Sequence, residues 1–161
     1  MRSPRDQRLR DLENLYEDRH SHFVRIARAV TGSRELAHDV VQDAFATAVR
    51  ERDQYREEGP LEAWVWRIVI NKARLKAHEQ VTLPLDVVCR PDSNGSRDDV
   101  VAAVAALPER QRLVVFLRYY ADLDYRSIAE TLTIEVGTVS ATLHQAHAAL
   151  RRSLSEVENE L

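Results

Sequence analysis

From Leu9 onward the apolar positions fall at Leu9, Leu12, Tyr16, Phe23, Ile26 and Val30. Spacing of three to four residues predicts a helix with one buried face. Gly32 can adopt the left-handed conformation that ends such a helix, and Ser33 offers a side-chain acceptor to start the next. A second helix is predicted with Leu36, Val40, Val41, Ala44 and Ala48 inward and Asp39, Gln42, Asp43 and Arg50 outward. The polar stretch Glu51 to Glu58 interrupts the pattern. Gly59-Pro60 restarts it, with Pro60 suited to a first helical turn. The third predicted helix buries Leu61, Trp64, Val65, Ile68, Val69 and Leu75 and interleaves Arg67, Lys72, Arg74 and Lys76.

Between Gln80 and Arg97 the periodicity is lost, and Pro84, Pro91 and the run Asp92-Ser93-Asn94-Gly95-Ser96 read as a linker. Four shorter helical units follow: Val100 to Leu107, Glu109 to Ala121, Tyr125 to Leu132, and Val136 to Leu154. The last two are laid out as a helix-turn-helix, in which Ile128, Ala129 and Leu132 pack against Val136, Val139 and Leu143. Ala129 is small enough to let the helices cross closely. In that motif the second helix enters the DNA major groove. The predicted fold class is therefore all-α: two small helical domains, 1–80 and 98–161, joined by a linker over 81–97.

Composition narrows the function. The 161 residues hold 44% apolar and 30% charged residues and only four glycines, which suits helices and a soluble chain. Net charge is −3, so nucleic-acid binding has to rest on a local basic face. Cys89 is the only cysteine, which excludes an internal disulfide and a cysteine-cluster zinc site. No apolar run approaches the roughly 20 residues of a membrane span, and the first residues lack a signal-peptide core. The expectation is a cytoplasmic protein without membrane insertion. There is no glycine-rich phosphate loop, no metal-ligand set and no nucleophile–base arrangement, so no enzyme, cofactor or metal is expected. His144 and His147 lack a third ligand, and Asp39 and Asp43 lack a pocket.

Beside these readings, the chain resembles a known family over nearly its whole length. Leu107-Pro-Glu-Arg-Gln-Arg112, Phe116-Leu-Arg-Tyr119, Tyr125-Arg-Ser-Ile-Ala-Glu130, Val136-Gly-Thr-Val139 and Leu150-Arg-Arg-Ser-Leu154 are similar to the C-terminal promoter-binding domain of the extracytoplasmic-function RNA polymerase sigma factors. His38-Asp-Val-Val-Gln-Asp-Ala-Phe45, Ala63-Trp-Val-Trp-Arg-Ile68 and Asn71 resemble their N-terminal domain. The resemblance implies a transcription initiation factor whose partners are core RNA polymerase, promoter DNA and an anti-sigma factor. It implies that Asp39, Gln42, Asp43 and Phe45 face the polymerase clamp. The loop Tyr55 to Leu61 and the helix carrying Trp64, Arg67, Asn71, Lys72 and Arg74 would hold the melted downstream promoter strand through base flipping, stacking and cationic contacts. Trp66, two residues from Trp64 and so off its face, is a candidate for exposed stacking. Arg126, Thr138, Ser140, Thr142 and His144 complete the DNA-contact set, in the domain that reads the upstream element as duplex.

The recognition helix departs from the family's pattern. Glu135 stands where a serine cap is usual, and Ser140, Thr142, Gln145 and His147 replace basic residues. Thr133 replaces the glycine of the turn, a strained choice at positive φ. Each cation missing from a phosphate lowers the log–log salt slope by about 0.9, so free-protein DNA binding is expected to be weak. Two other readings compete: a stand-alone helix-turn-helix regulator, which predicts tight duplex binding as a dimer, and a sigma-like interaction protein with little DNA binding.

Overall fold

The computed structural model describes residues 3–79, 100, 102–104 and 106–159. The sequence-predicted linker, 81–97, lies wholly outside these residues, as does Cys89 within it. Among the described residues all regular structure is helical.

Helix α1 spans Pro4–Thr31. The Ser3 hydroxyl accepts from the Arg5 N–H, and Gly32, at φ 74°, ends the helix with its own N–H on the Arg28 carbonyl. Helix α2, Arg34–Arg50, starts where the Ser33 hydroxyl accepts from Leu36 N–H at 3.3 Å. A short 3-10 turn, Arg52–Gln54, leads to helix α3, Leu61–Glu79. Pro60 sits one residue before α3, and its carbonyl accepts from Ala63 and Trp64. These three helices enclose an aromatic-centred core: Phe23 lies 4.1 Å from Trp66 and 5.1 Å from Phe45, and Tyr16 meets Phe45 edge-on at 4.9 Å.

Beyond the linker, residues 102–104 are helical, and the chain turns at Pro108 into helix α4, Glu109–Tyr119. Helix α5, Tyr125–Leu132, is capped by Asp124, whose carboxylate accepts from Ser127 N–H at 2.7 Å. Hydrogen bonds from Ser127 hold the Asp124 carboxyl below its usual range. Helix α6 is Val136–Asn159. Between α5 and α6, Thr133 adopts φ 56° and ψ 51°, the left-handed conformation that a β-branched residue enters only under strain. Val139 and Leu143 are buried against Ile128, Ala129 and Leu132, whereas Val136 is 47% exposed and contributes little to the crossing.

The two helical groups share one continuous core. Helix α5 is buried on two sides: Ile128 and Leu132 face inward, and Ser127 and Thr131 are also enclosed. The Thr131 hydroxyl donates to the Ala63 carbonyl at 3.4 Å across the junction. Small residues, Ala63 on α3 and Ala129 and Thr131 on α5, permit this approach.

Leu75, which its residue type assigns to the core, is 64% exposed. It follows Arg67 and Asn71 at intervals of four, so the helical repeat carries it onto their outward face.

Candidate polymerase and nucleic-acid interfaces

Helix α2 presents Asp39, Gln42 and Asp43 as an exposed strip, because Val40, Val41 and Ala44 turn the opposite face inward. Residues at i, i+3 and i+4 share a helical face. Phe45 does not belong to it: at 7% exposure it packs between Tyr16 and Phe23 and is a core residue. Asp43 is paired with Lys72 of α3, Oδ2 to Nζ at 2.7 Å.

The loop before α3 and the first turns of that helix form an open cleft of about 380 Å³, lined by Gln54, Tyr55, Arg56, Gly59, Trp64 and Arg67 among others. The Tyr55 ring lies 5.6 Å from that of Trp64, and its hydroxyl donates to the Gly59 carbonyl. Burial, and then the nearby Glu57 carboxylate, push the Tyr55 hydroxyl above its ordinary pKa, opposed by Arg8. The phenol therefore stays neutral and able to donate at physiological pH. Aromatic faces beside an exposed guanidinium suit stacking and phosphate contact at once.

Trp66 does not belong to the nucleic-acid set. It is 0% exposed, and its indole N–H donates to Glu62 at 3.3 Å. The half-buried tryptophan at the cleft is Trp64. The reason is the helical repeat: Ala63, Trp66, Ile70 and Ala73 line the inward face, and Trp64 lies about 200° away from Trp66 at ~100° per residue.

Arg67 and Asn71 are exposed on one face of α3. Arg74, beside them, pairs with Glu109 at 3.1 Å. On the helix-turn-helix, Arg126 is exposed and pairs with Glu130 at 3.4 Å. Ser140 and His144 are exposed and Thr138 is half-buried, but Thr142 is 5% exposed and faces the core. Positions 138, 140, 142 and 144 alternate, and a helix cannot show all four on one side. The outward face is instead Gly137, Ser140, Ala141, His144 and Gln145, opposite Val139, Thr142, Leu143 and Ala146. His147, half-buried, meets the Tyr119 hydroxyl at 2.8 Å. Sequence spacing reads Tyr55 and Arg56 only as part of a loop. Their neighbours in space come from α3, and nothing in the local pattern signals that cleft.

No group of three or more acidic, histidine or cysteine side chains able to hold a metal ion occurs among the described residues. Nor is any described helix long and apolar enough to cross a membrane.

Comparison with known proteins accords with this geometry. The sigma-70 region 2 family model matches residues 15–77, which contain α2, the cleft loop and most of α3. The sigma-70 region 4 model matches residues 97–150, which contain the helix-turn-helix. The chain is 32% identical over 154 residues to the ECF RNA polymerase sigma factor SigM of Mycobacterium tuberculosis, covering 88% of this chain and 76% of that protein. It is 25% identical over 171 residues to SigW of Bacillus subtilis, covering 91% and 89%. Among solved structures, the fold is similar to the Bartonella quintana sigma factor RpoE, in its complex with the anti-sigma factor NepR, at a TM-score of 0.76 and 19% identity, covering 90% of this chain and 97% of that one. It is also similar to CnrH, in complex with the cytosolic domain of CnrY, at a TM-score of 0.70 and 23% identity, covering 92% and 90%. With region 2 and region 4 matched in order, and a relative at this identity aligned over most of both chains, the protein belongs to the ECF family of RNA polymerase sigma factors.

Proposed function

We propose that this sigma factor divides its work between two surfaces: the strip Asp39, Gln42, Asp43 on α2 binds core RNA polymerase, and the cleft beside Trp64 and Arg67 holds a single DNA strand at the promoter. The observation that carries the reading is the cleft itself, where Tyr55, Trp64 and Arg67 offer stacking and a cation in one open groove on the region 2 match. Asn71 and Arg74 extend that polar and cationic face along α3, and Lys72, rotated about 140° from Arg67, adds a cation on the side toward Asp43 of α2. The outward face of α6, with Ser140 and His144, and Arg126 on α5 are the duplex-reading elements. With no lysine or arginine between Val136 and Leu150, α6 supplies few phosphate contacts, so polymerase provides most of the holding energy. The protein acts in the cytoplasm as an initiation factor, with the polymerase performing the chemistry. The similar sigma factor RpoE, solved with the anti-sigma factor NepR, supports an anti-sigma factor as a further partner, covering one or both surfaces.

The test is core-polymerase binding by fluorescence anisotropy with the full chain. Replacing Asp39 and Asp43 together by Ala should weaken binding about tenfold or more while leaving the helical circular dichroism and melting curve in place. Unchanged affinity would remove α2 from the polymerase interface. A gel shift of the free protein separates the stand-alone regulator: tight binding to paired duplex half-sites would favour that function instead.

A further inference from the structure

The loop that borders the cleft is tied to the first turns of α1. The Arg8 side chain is 25% exposed and its Nε is buried. Its guanidinium donates to the Arg52 carbonyl at 3.5 Å and to the Glu57 carboxylate at 3.0 Å. Arg5, one turn earlier, pairs with Asp53 at 2.8 Å. Positions 5 and 8 share a helical face, so both side chains reach the same loop.

Glu57 adopts φ 59°, a left-handed conformation that a residue other than glycine keeps only where its surroundings hold it. Its carboxylate is directed to Arg8, whereas its neighbours Tyr55, Arg56 and Glu58 line the cleft. The Tyr55 hydroxyl donates to the Gly59 carbonyl, and its ring lies beside Trp64. Arg8 is not among the residues lining the cleft. It grips the loop on either side of Tyr55, at Arg52 and at Glu57.

We propose that Arg8, assisted by Arg5, braces loop 51–60 in the shape that sets Tyr55 and Arg56 beside Trp64, and so acts as a positioning residue for capture of the melted strand. This rests on the reading of the cleft as a strand site. A loop that leaves this shape lowers strand affinity in proportion to the fraction of molecules that keep it. The sign of one substitution separates bracing from simple charge. Glu57→Ala removes a negative charge near the cleft, and electrostatics alone would then tighten DNA binding. As loss of the brace's partner, it weakens strand capture instead.

The test uses the full chain assembled with core polymerase, on a duplex promoter and on the same promoter pre-melted. Arg8→Ala and Glu57→Ala should each slow opening of the duplex about three- to fivefold, the scale of one partly exposed ion pair. Combined, they should be no slower than either alone, because both remove one interaction. Core affinity and the rate on the pre-melted template should match wild type. In the free chain, Trp66→Phe leaves Trp64 as the single tryptophan, and adding Arg8→Ala should raise its acrylamide quenching with the melting curve in place. A Glu57→Ala protein that opens the duplex as fast as wild type or faster, additive losses, weakened core binding by Arg8→Ala, or unchanged quenching of Trp64 would each overturn the brace. Arg67→Ala tells the two readings apart. If it impairs promoter opening while Arg8→Ala does not, the brace falls and the cleft stands. If it leaves opening unaffected, the strand site falls, and the brace with it.

Discussion

Trp66→Ala tests the core directly, because sequence spacing alone offers Trp66 as a surface stacking residue. Its side chain is fully buried, 4.1 Å from Phe23 ring to ring, and its N–H is satisfied by Glu62. A tryptophan buries roughly 150–250 Å², and about 25 cal/mol per Å² gives an upper figure of roughly 4–6 kcal/mol. Alanine keeps its methyl group and the walls relax in part, so about 3–5 kcal/mol is expected. That is a large share of the stability of a small domain. Glu62 also receives Arg19, which reaches Ala121 across the junction, so part of the effect should show as looser docking of α4 and α5. Trp66→Phe retains ring packing and gives up the N–H bond, for about 1–2 kcal/mol. Urea unfolding followed by far-ultraviolet circular dichroism measures both. A Trp64→Phe parent leaves Trp66 as the single tryptophan, which should emit in the blue and resist acrylamide quenching. A cost under about 1 kcal/mol for Trp66→Ala, or quenching as free as that of a surface tryptophan, would refute this picture of the core.

Three other expectations follow from local structure. Thr133→Gly should stabilise the fold by about 1 kcal/mol, since glycine adopts the left-handed conformation without the β-branched penalty; an unchanged or lower Tm would show that the turn is not strained. Asp124→Ala should cost about 1 kcal/mol through loss of the α5 cap at neutral pH. Because the folded carboxyl is held below its unfolded pKa by Ser127, the wild-type advantage is full above the ordinary aspartate range and shrinks as pH falls through the lowered value; a difference that grew toward acid would contradict the assigned direction. Thr142→Val, at a buried site, should leave duplex binding of the holoenzyme unchanged, whereas Ser140→Ala and His144→Ala together should weaken it; the reverse ranking in a promoter-binding titration would place the reading face elsewhere.

Much of this fold is written locally. The Gly32 stop, the Ser33 cap and the helix-turn-helix core of Ile128, Val139 and Leu143 all follow from spacing and turn chemistry. The strip at Asp39, Gln42 and Asp43 is equally legible, because i, i+3, i+4 geometry does not depend on the rest of the chain. Local pattern misleads where phase matters. Trp64 and Trp66 are both apolar and large, and the phase of the helical repeat, which sets Trp66 with Ala63, Ile70 and Ala73 against Phe23, decides which one is enclosed. Residue type places Thr142 outside and Leu75 inside, and the helical repeat reverses both. The docking of α5 on α3 is out of reach for another reason. It depends on small residues, Ala63 and Thr131, meeting across a separation of 68 positions, and short side chains of this kind carry little hydrophobic signal.

If polymerase binding and strand holding reside on different faces of one chain, the two functions can be broken separately. Run-off transcription with core polymerase, on a duplex promoter and on the same promoter pre-melted, measures this for wild type, Asp39→Ala with Asp43→Ala, and Arg67→Ala with Lys72→Ala. The α2 variant should fail on both templates, whereas the α3 variant should bind core, fail on the duplex and recover on the pre-melted template. Equal activity of all three proteins on the duplex, or loss of core binding by the α3 variant alone, would contradict the separation.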